Sequence, residues 1–310
     1  MIMVYFAAPA SQWQAYEAPL RTALDAAGLI YDLSSECEDP AGVDYIIYAP
    51  GGPVSDFTPF IHAKAVLSLW AGVEAITNNE TLTMPLTRMV DEGLSEGMTE
   101  WVVSHVLRYH LGMDDQIMRQ DGQWQQNIPP LARDRKIAIL GMGALGKACA
   151  QALAALNFQV SGWSRTAKNV DGVTCRHGED GLTDILGCAN IVVLLLPLTP
   201  QTENLINGAR LALLPKGAMI INPGRGALID DAALLSAFDS GHISHATLDV
   251  FRTEPLPETH VFWAHPNITV TPHIASATRP SSAARMIAQN IKRNESGLPM
   301  LHMVDRQTGY

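Results

Sequence analysis

The most constraining feature of this chain is Gly141-Met142-Gly143-Ala144-Leu145-Gly146, which closes an apolar run, Lys136 to Leu140, and opens a helical pattern from about Leu145 to Leu156. A glycine pattern by itself is common. One that ends a strand and starts a helix is what a dinucleotide-binding βαβ unit requires. In that setting Gly141 permits the tight turn, Gly143 lets a pyrophosphate approach the backbone, and Gly146 lets helix and strand pack closely. Ala144 and Leu145 begin the helix whose amides and positive dipole end face the phosphates. A dinucleotide held at Gly141, Gly143, Ala144, Leu145 and Gly146 is therefore expected.

Around this motif, short β-branched or apolar runs alternate with helical patterns, the signature of a parallel sheet covered by helices. The alternation occurs twice. Met3 to Ala7, Asp44 to Tyr48 and Val66 to Trp70 read as strands, with a helix from about Gln12 to Ala27. From Lys136 the pattern restarts, with strands at Gln159 to Ser164, Ile191 to Leu196, Ala218 to Asn222, Ala246 to Val250 and Ile268 to Thr271. Between the two lies a helical stretch from about Thr99 to Met118, then a polar, irregular segment from Asp114 to Arg135 that reads as a loop or an arm. A last helix is expected over Ser281 to Asn294. Two α/β domains fit 310 residues at a domain size of about 150.

Hydrophobic residues at 47% and charged residues at 17% can fill two cores, which excludes a disordered or fibrous chain. A formal charge of −10 argues against nucleic acid or an anionic membrane as partner, so an anionic ligand must meet a local positive site. The apolar run Ile191 to Leu198 falls far short of a bilayer span, and no membrane association is expected. Four cysteines without a CxxC pair fit a reducing cytoplasm and no metal site. His260 and His265 flank Trp263 without acid partners, and no metal is assigned to them.

Four strand ends carry chemistry. After the strand at Gln159 to Ser164, an acid would bind a ribose 2′-hydroxyl, but the residues are Ser164-Arg165-Thr166 with Lys168 close behind. Hydroxyls and a guanidinium suit a 2′-phosphate, so NADP(H) is preferred and NAD(H) remains possible. The other three are Asn222-Pro223-Gly224-Arg225-Gly226, Asp249-Val250-Phe251-Arg252-Thr253-Glu254-Pro255 and Thr271-Pro272-His273-Ile274-Ala275. Ligands of doubly wound sheets bind at such carboxyl ends. Arg225 can clamp a substrate carboxylate, and Glu254 and His273 can meet across neighbouring loops as a general acid–base pair.

Together these segments, with Leu195-Leu196-Pro197-Leu198-Thr199-Pro200-Gln201-Thr202 between them, resemble the D-isomer-specific 2-hydroxyacid dehydrogenases in content and order. Trp163-Ser164-Arg165-Thr166, Thr278-Arg279-Pro280 and the ending Val304 to Tyr310 resemble one reductase branch of that family. The resemblance implies a Rossmann-type doubly wound domain over 99–274 and a smaller flavodoxin-like α/β substrate domain over 1–98 and 275–310. It implies reduction of a small 2-oxoacid, such as glyoxylate or hydroxypyruvate, with Arg225 binding the carboxylate, His273 as proton donor and Glu254 orienting it. Leu196, Pro197, Thr202, Pro223, Gly224, Arg225, Asp249, His273 and Ala275 join the implied cofactor contacts. Gly72 and Val73 would offer amides to the substrate, beside Tyr48. Trp70 stands where the family pattern has glycine, which leaves a bulkier oxoacid open. A homodimer through the cofactor domain is also implied, with Trp124 in its arm. A redox sensor or corepressor on the same fold is the competing reading, and the intact Arg, Glu and His weigh against it.

Overall fold

The structure is a computed structural model describing residues 1–306 and Gly309. Gln307, Thr308 and Tyr310 of the tail motif lie outside the described residues. The chain divides into two compact units, one formed by Met1–Leu94 with the chain from Ala277 onward, the other by Ser95–Ser276.

The first unit is a five-stranded parallel sheet: β1 (Ile2–Ala7), β2 (Tyr31–Ser34), β3 (Tyr45–Tyr48), β4 (Ala65–Ser68) and β5 (Leu86–Thr87), in the order β2-β1-β3-β4-β5. That is the order of a flavodoxin-like sheet, reversing between β1 and β3. Its inner strands are apolar because both faces are covered, and β3 and β4 are buried at every position. One face carries α1 (Ala10–Ala26), whose Tyr16, Leu20 and Leu24 pack with Phe6, Leu33, Ile47 and Leu67. The other buries Ile46, Tyr48, Val66 and Leu86 against Val73 and Ile76, the latter in the one-turn helix α2 (Glu74–Thr77). The helix α3 (Glu92–Leu111) begins in this unit, and Arg285 pairs with Glu92 at its start. The C-terminal helix, numbered α9 in chain order (Pro280–Glu295), returns to pack along α1 through Ala284, Ile287 and Ile291. Its Asn294 donates to the Tyr45 hydroxyl, which donates in turn to Glu295.

In the second unit α3 continues, followed by α4 (Met113–Met118), β6 (Lys136–Leu140), α5 (Ala144–Ala155), β7 (Gln159–Ser164), β8 (Thr174–His177), α6 (Gly178–Leu186) and β9 (Ile191–Leu194). Then come α7 (Gly208–Leu211), β10 (Ala218–Asn222), α8 (Asp231–Asp239), β11 (Ile243–Leu248) and β12 (Ile268–Val270). The seven-stranded parallel sheet runs β12-β11-β10-β9-β6-β7-β8, which is Rossmann topology with its reversal between β6 and β9. Buried Val102, Val106 and Tyr109 of α3 cover one face, and the Tyr109 hydroxyl lies 2.6 Å from that of Thr247 on β11. Burial, aided by the nearby Arg108, pushes His105 down to about 4, so this face of α3 meets the sheet uncharged.

Several local expectations are corrected. The helix expected from Thr99 to Met118 starts earlier, at Glu92, and stops at Leu111 because Gly112 takes a left-handed conformation (φ 62°) that breaks the ladder. Part of the segment read as irregular is thus α4, while residues 119–131 form no regular element. Strands β2, β5 and β8 escape a pattern reading because they are short or polar; β8, at the sheet edge, has no buried residue.

The contact of α9 with α1 gives a stability test. Replacing fully buried Ile291 by Ala is expected to cost about 2–5 kcal/mol. Urea unfolding monitored by circular dichroism measures it, and an unshifted midpoint would show that α9 is not part of this core.

Candidate active site

The glycine motif folds as its spacing requires, and each glycine has its own reason. Gly141 sits at φ 111°, and a Cβ there would lie 2.4 Å from the Leu195 carbonyl oxygen. At Gly146 a Cβ would lie 1.8 Å from the Gly141 carbonyl oxygen, so helix and turn could not close. Gly143 is different. It is exposed at the mouth of α5, and a Cβ on it would meet nothing within 4 Å. The first and third glycines are therefore fixed by the protein's own packing, whereas the second keeps an open approach to the first amides of α5. That is the surface a pyrophosphate needs, and the residues present fit a dinucleotide. The switch point of the sheet lies here, with the Leu195 amide donating to the Leu140 carbonyl at 2.7 Å.

Beyond β7, the Trp163 indole donates to the Gly178 carbonyl (2.8 Å) and the Ser164 hydroxyl to the Thr166 carbonyl (2.8 Å), which shapes the following turn. Arg165, Thr166 and Lys168 on this turn are exposed. In the loop after β9, the Thr202 hydroxyl bonds the Pro197 carbonyl at 2.7 Å and accepts from the Thr199 amide at 2.8 Å. Thr202 is thereby spent on the shape of its loop, beside Leu196 and Pro197. Pro223 and Gly224 are buried.

Arg225 lies just past β10. Asn222, buried at the end of that strand, accepts from the Gly224 amide (3.1 Å) and donates to the Arg225 carbonyl (2.9 Å), so the turn carrying Arg225 is held from inside. The guanidinium donates to the Gly224 carbonyl at 2.6 Å and is half-buried. A Cβ on Gly226 would come within 2.1 Å of the Phe251 carbonyl carbon, so this turn presses directly on the segment that carries Glu254.

Glu254 and His273 meet. The Glu254 Oε1 accepts from the Phe251 amide (2.8 Å), and its Oε2 lies 2.7 Å from His273 Nδ1. Fixing Nδ1 in this way directs Nε2 outward, and the His273 side chain is 50% exposed. His273 itself adopts φ 55°, a left-handed conformation that a non-glycine residue takes at a cost of about 1–3 kcal/mol.

What holds it there is Asp249, which sequence reasoning placed among cofactor contacts. The structure shows what its carboxylate does inside the protein. Asp249 is fully buried, its Oδ1 accepts from the Thr271 hydroxyl (2.5 Å) and the Ile274 amide (2.9 Å), and its Oδ2 accepts from the Ala275 amide (2.9 Å). Its backbone carbonyl accepts from the His273 amide at 2.8 Å. Asp249 is a positioning residue that clamps both sides of His273, and buried Ala275 belongs to the clamp. Thr271 and Asn222 were missed by sequence reasoning; the available signal was a polar residue ending an otherwise apolar strand.

In the first unit, the Trp70 amide donates to the Ser68 hydroxyl (3.1 Å) and the Trp70 carbonyl accepts from the Met89 amide (2.9 Å). These bonds fix the start of the segment carrying Gly72 and Val73, with Trp70 45% exposed and Tyr48 buried.

This chain belongs to the D-isomer specific 2-hydroxyacid dehydrogenase family: the profile of that family's NAD binding domain matches residues 101–275. It is an NAD(P)-dependent oxidoreductase. Glyoxylate/hydroxypyruvate reductase A of Yersinia enterocolitica serotype O:8 / biotype 1B is 40% identical over 281 residues, covering 88% of this chain and 89% of that protein. A D-isomer specific 2-hydroxyacid dehydrogenase from Xanthobacter autotrophicus Py2, solved with NADPH and MES, superposes with a TM-score of 0.90 at 40% identity over 99% of both chains. An NADPH-dependent glyoxylate/hydroxypyruvate reductase from Sinorhizobium meliloti, solved with NADP and sulfate, also gives 0.90, at 33% identity over the full length of both.

The unequal glycines are separable by mutation. Gly143→Ala should fold with its melting temperature unchanged and lose dinucleotide affinity, whereas Gly146→Ala should lose both stability and affinity. Thermal melts and cofactor fluorescence titration read the two effects, and equal behaviour of the two variants would refute the assignment.

Proposed function

We propose that this protein reduces a small 2-oxoacid, of the glyoxylate and hydroxypyruvate type, to the D-2-hydroxyacid with NADPH. The observation that carries the reading is the 2.7 Å contact between His273 Nδ1 and Glu254 Oε2 at the carboxyl edge of the Rossmann sheet. Support comes also from Arg225, one strand away, and from the reductase activity named for the Yersinia and Sinorhizobium relatives.

In this reading, Gly141, Gly143, Ala144, Leu145 and Gly146 take the pyrophosphate, and Leu196, Pro197, Pro223 and Gly224 line the cofactor's path. Ser164, Arg165, Thr166 and Lys168 meet the 2′-phosphate, with NADH as a weaker alternative. When bound, the dihydronicotinamide supplies the hydride that reaches C2. Arg225 binds the substrate carboxylate with charge-assisted hydrogen bonds. As the carbonyl oxygen gains negative charge, protonated His273 donates from Nε2, and Glu254 stabilises the imidazolium and holds its orientation. Asp249 and Thr271 keep that imidazole in place. The first unit contributes the amides of Gly72 and Val73, with Tyr48 and Trp70, to substrate binding.

The same reading includes a homodimer in a reducing cytoplasm. Ile117, Met118, Trp124, Ile128 and Leu131 are all more than 60% exposed within one short segment of the second unit. Large apolar side chains gathered in this way suit a protein interface, and a second copy of the chain is the partner proposed for this arm.

His273→Ala should retain NADPH binding and lose about 10²–10⁴-fold in kcat, the usual contribution of general acid catalysis. Stopped-flow absorbance at the nicotinamide band checks this, and unchanged turnover would sink the assignment. Ser164→Asp with Arg165→Ala should reverse the coenzyme preference toward NADH, because a carboxylate repels the 2′-phosphate and accepts from the ribose hydroxyl. Comparing kcat/KM for both coenzymes decides it; equal rates in the unmodified enzyme would already remove the role given to Arg165.

A further inference from the structure

The segment that carries Glu254 is attached to the rest of the second unit by few polar bonds. Among the described residues, no backbone–backbone hydrogen bond involves residues 251–256. Phe251 and Leu256 pack against the core, and the bond from the Phe251 amide to Glu254 Oε1 closes the segment on itself. Among the described residues, only two of its side chains form hydrogen bonds outside it: Glu254, with His273, and Arg252. The contact of Glu254 with His273 thus depends on a segment whose other polar anchor is Arg252.

The Arg252 guanidinium reaches two neighbouring loops. Its Nη2 donates to the Asn204 side-chain oxygen and to the Ile229 carbonyl, the latter at 2.5 Å. Both acceptors sit on backbone that is already tied down. The Asn204 amide donates to the Ala227 carbonyl (2.8 Å), the Ile206 amide to the Leu228 carbonyl (2.9 Å) and the Asp230 amide to the Ile206 carbonyl (3.0 Å). Asn204 lies after β9 and Ile229 after β10, so one side chain joins both loops to the segment that follows β11. Glu203 and Asp231 oxygens stand 3.8 and 3.6 Å from the guanidinium, but the Arg252 side chain is 34% exposed, and ion pairs of that kind contribute little. The hydrogen bonds from the charged donor to Asn204 and Ile229 are what hold the segment.

We propose that Arg252 is a positioning residue for the Glu254–His273 pair. It acts through Glu254: by anchoring the chain two residues earlier, it keeps the carboxylate opposite His273 Nδ1, so that the imidazole carries a proton there and turns Nε2 outward. The inference rests on the reading of this pair as the one that donates the proton to the substrate. The hydrogen bond at one imidazole nitrogen decides which tautomer is populated, and a small displacement of a reacting group is costly in rate. A loosened anchor therefore shows first in the tautomer of His273 and then in turnover.

Nitrogen NMR of the full-length protein carrying isotope-labelled histidine reads the pair directly, with the His273 signals identified by their loss in His273→Gln. In alkaline buffer the unmodified protein should hold His273 in the Nδ1-protonated tautomer. Arg252→Ala should shift it toward the Nε2-protonated form, and Arg252→Lys should restore part of the original state. Asn204→Gly removes one acceptor at a residue already in the left-handed region (φ 50°), where glycine is unstrained, and should reproduce part of the shift. Thermal melts identify a variant that fails to fold, and Arg252→Lys with Asn204→Gly carry the test if Arg252→Ala does. With glyoxylate and NADPH, kcat of Arg252→Ala should fall about 10-fold at unchanged NADPH affinity, and much less in a Glu254→Gln background, because residues that act through one another are not additive. An unmoved tautomer, or the same fold-loss with and without Glu254, overturns the proposal. If the unmodified protein reduces no oxoacid, the proposed function fails on its own, and the tautomer still decides the role of Arg252.

Discussion

The arrangement at the carboxyl edge of the second unit's sheet depends on one buried carboxylate. Asp249 has no exposed surface, yet it accepts hydrogen bonds from Thr271, Ile274 and Ala275, which flank His273 on both sides. A buried carboxylate is tolerated only when its acceptor capacity is met, so the polypeptide after β12 must wrap around it. In doing so it passes His273 through a left-handed conformation that would otherwise be unfavourable. The strain at His273 and the hydrogen bonds to Asp249 are thus two sides of one arrangement, and the pairing with Glu254 comes from it.

Around that clamp, parallel topology does the gathering. The ends of β6, β7, β9, β10, β11 and β12 all point the same way, so the glycine turn, the Ser164 turn, Arg225, the Glu254 segment and His273 emerge on one edge. The turns are then tightened by absent side chains. Gly146, Gly224 and Gly226 each lie where a Cβ would strike backbone, so carrier loops approach more closely than any other residue would allow. Gly143 obeys the opposite rule, since nothing of the protein fills the space in front of it.

Legibility from sequence followed the physics of each element. The placement of the glycine motif, the Arg225 turn and the Glu254 and His273 segments at strand ends was readable because each is a local pattern of residue type and spacing. Family membership was readable from the order of the same segments. The hydrogen bonds of the Asp249 carboxylate were not legible, because its partners lie more than twenty residues away and only folding brings them together. Edge strand β8 and two-residue β5 lacked the apolar alternation on which pattern reading depends. The stop of α3 at Gly112 was missed because the apolar pattern continues past it while the backbone does not.

In the proposed reading an acidic protein handles acidic ligands, and it must localise its positive charge. With a net charge of −10, the surface as a whole repels both a phosphate and a carboxylate, most strongly at low ionic strength. That reading assigns the attraction to guanidinium groups at strand ends, where burial strengthens an interaction and exposure weakens it. The Arg225 carbonyl is gripped by Asn222 and its guanidinium by the Gly224 carbonyl, so little side-chain freedom remains to be lost on binding. Arg165 stands on an exposed turn, where its contribution must be screened by salt. Coenzyme selectivity should accordingly be more sensitive to ionic strength than binding of the substrate carboxylate, because the two arginines meet their anions at different depths.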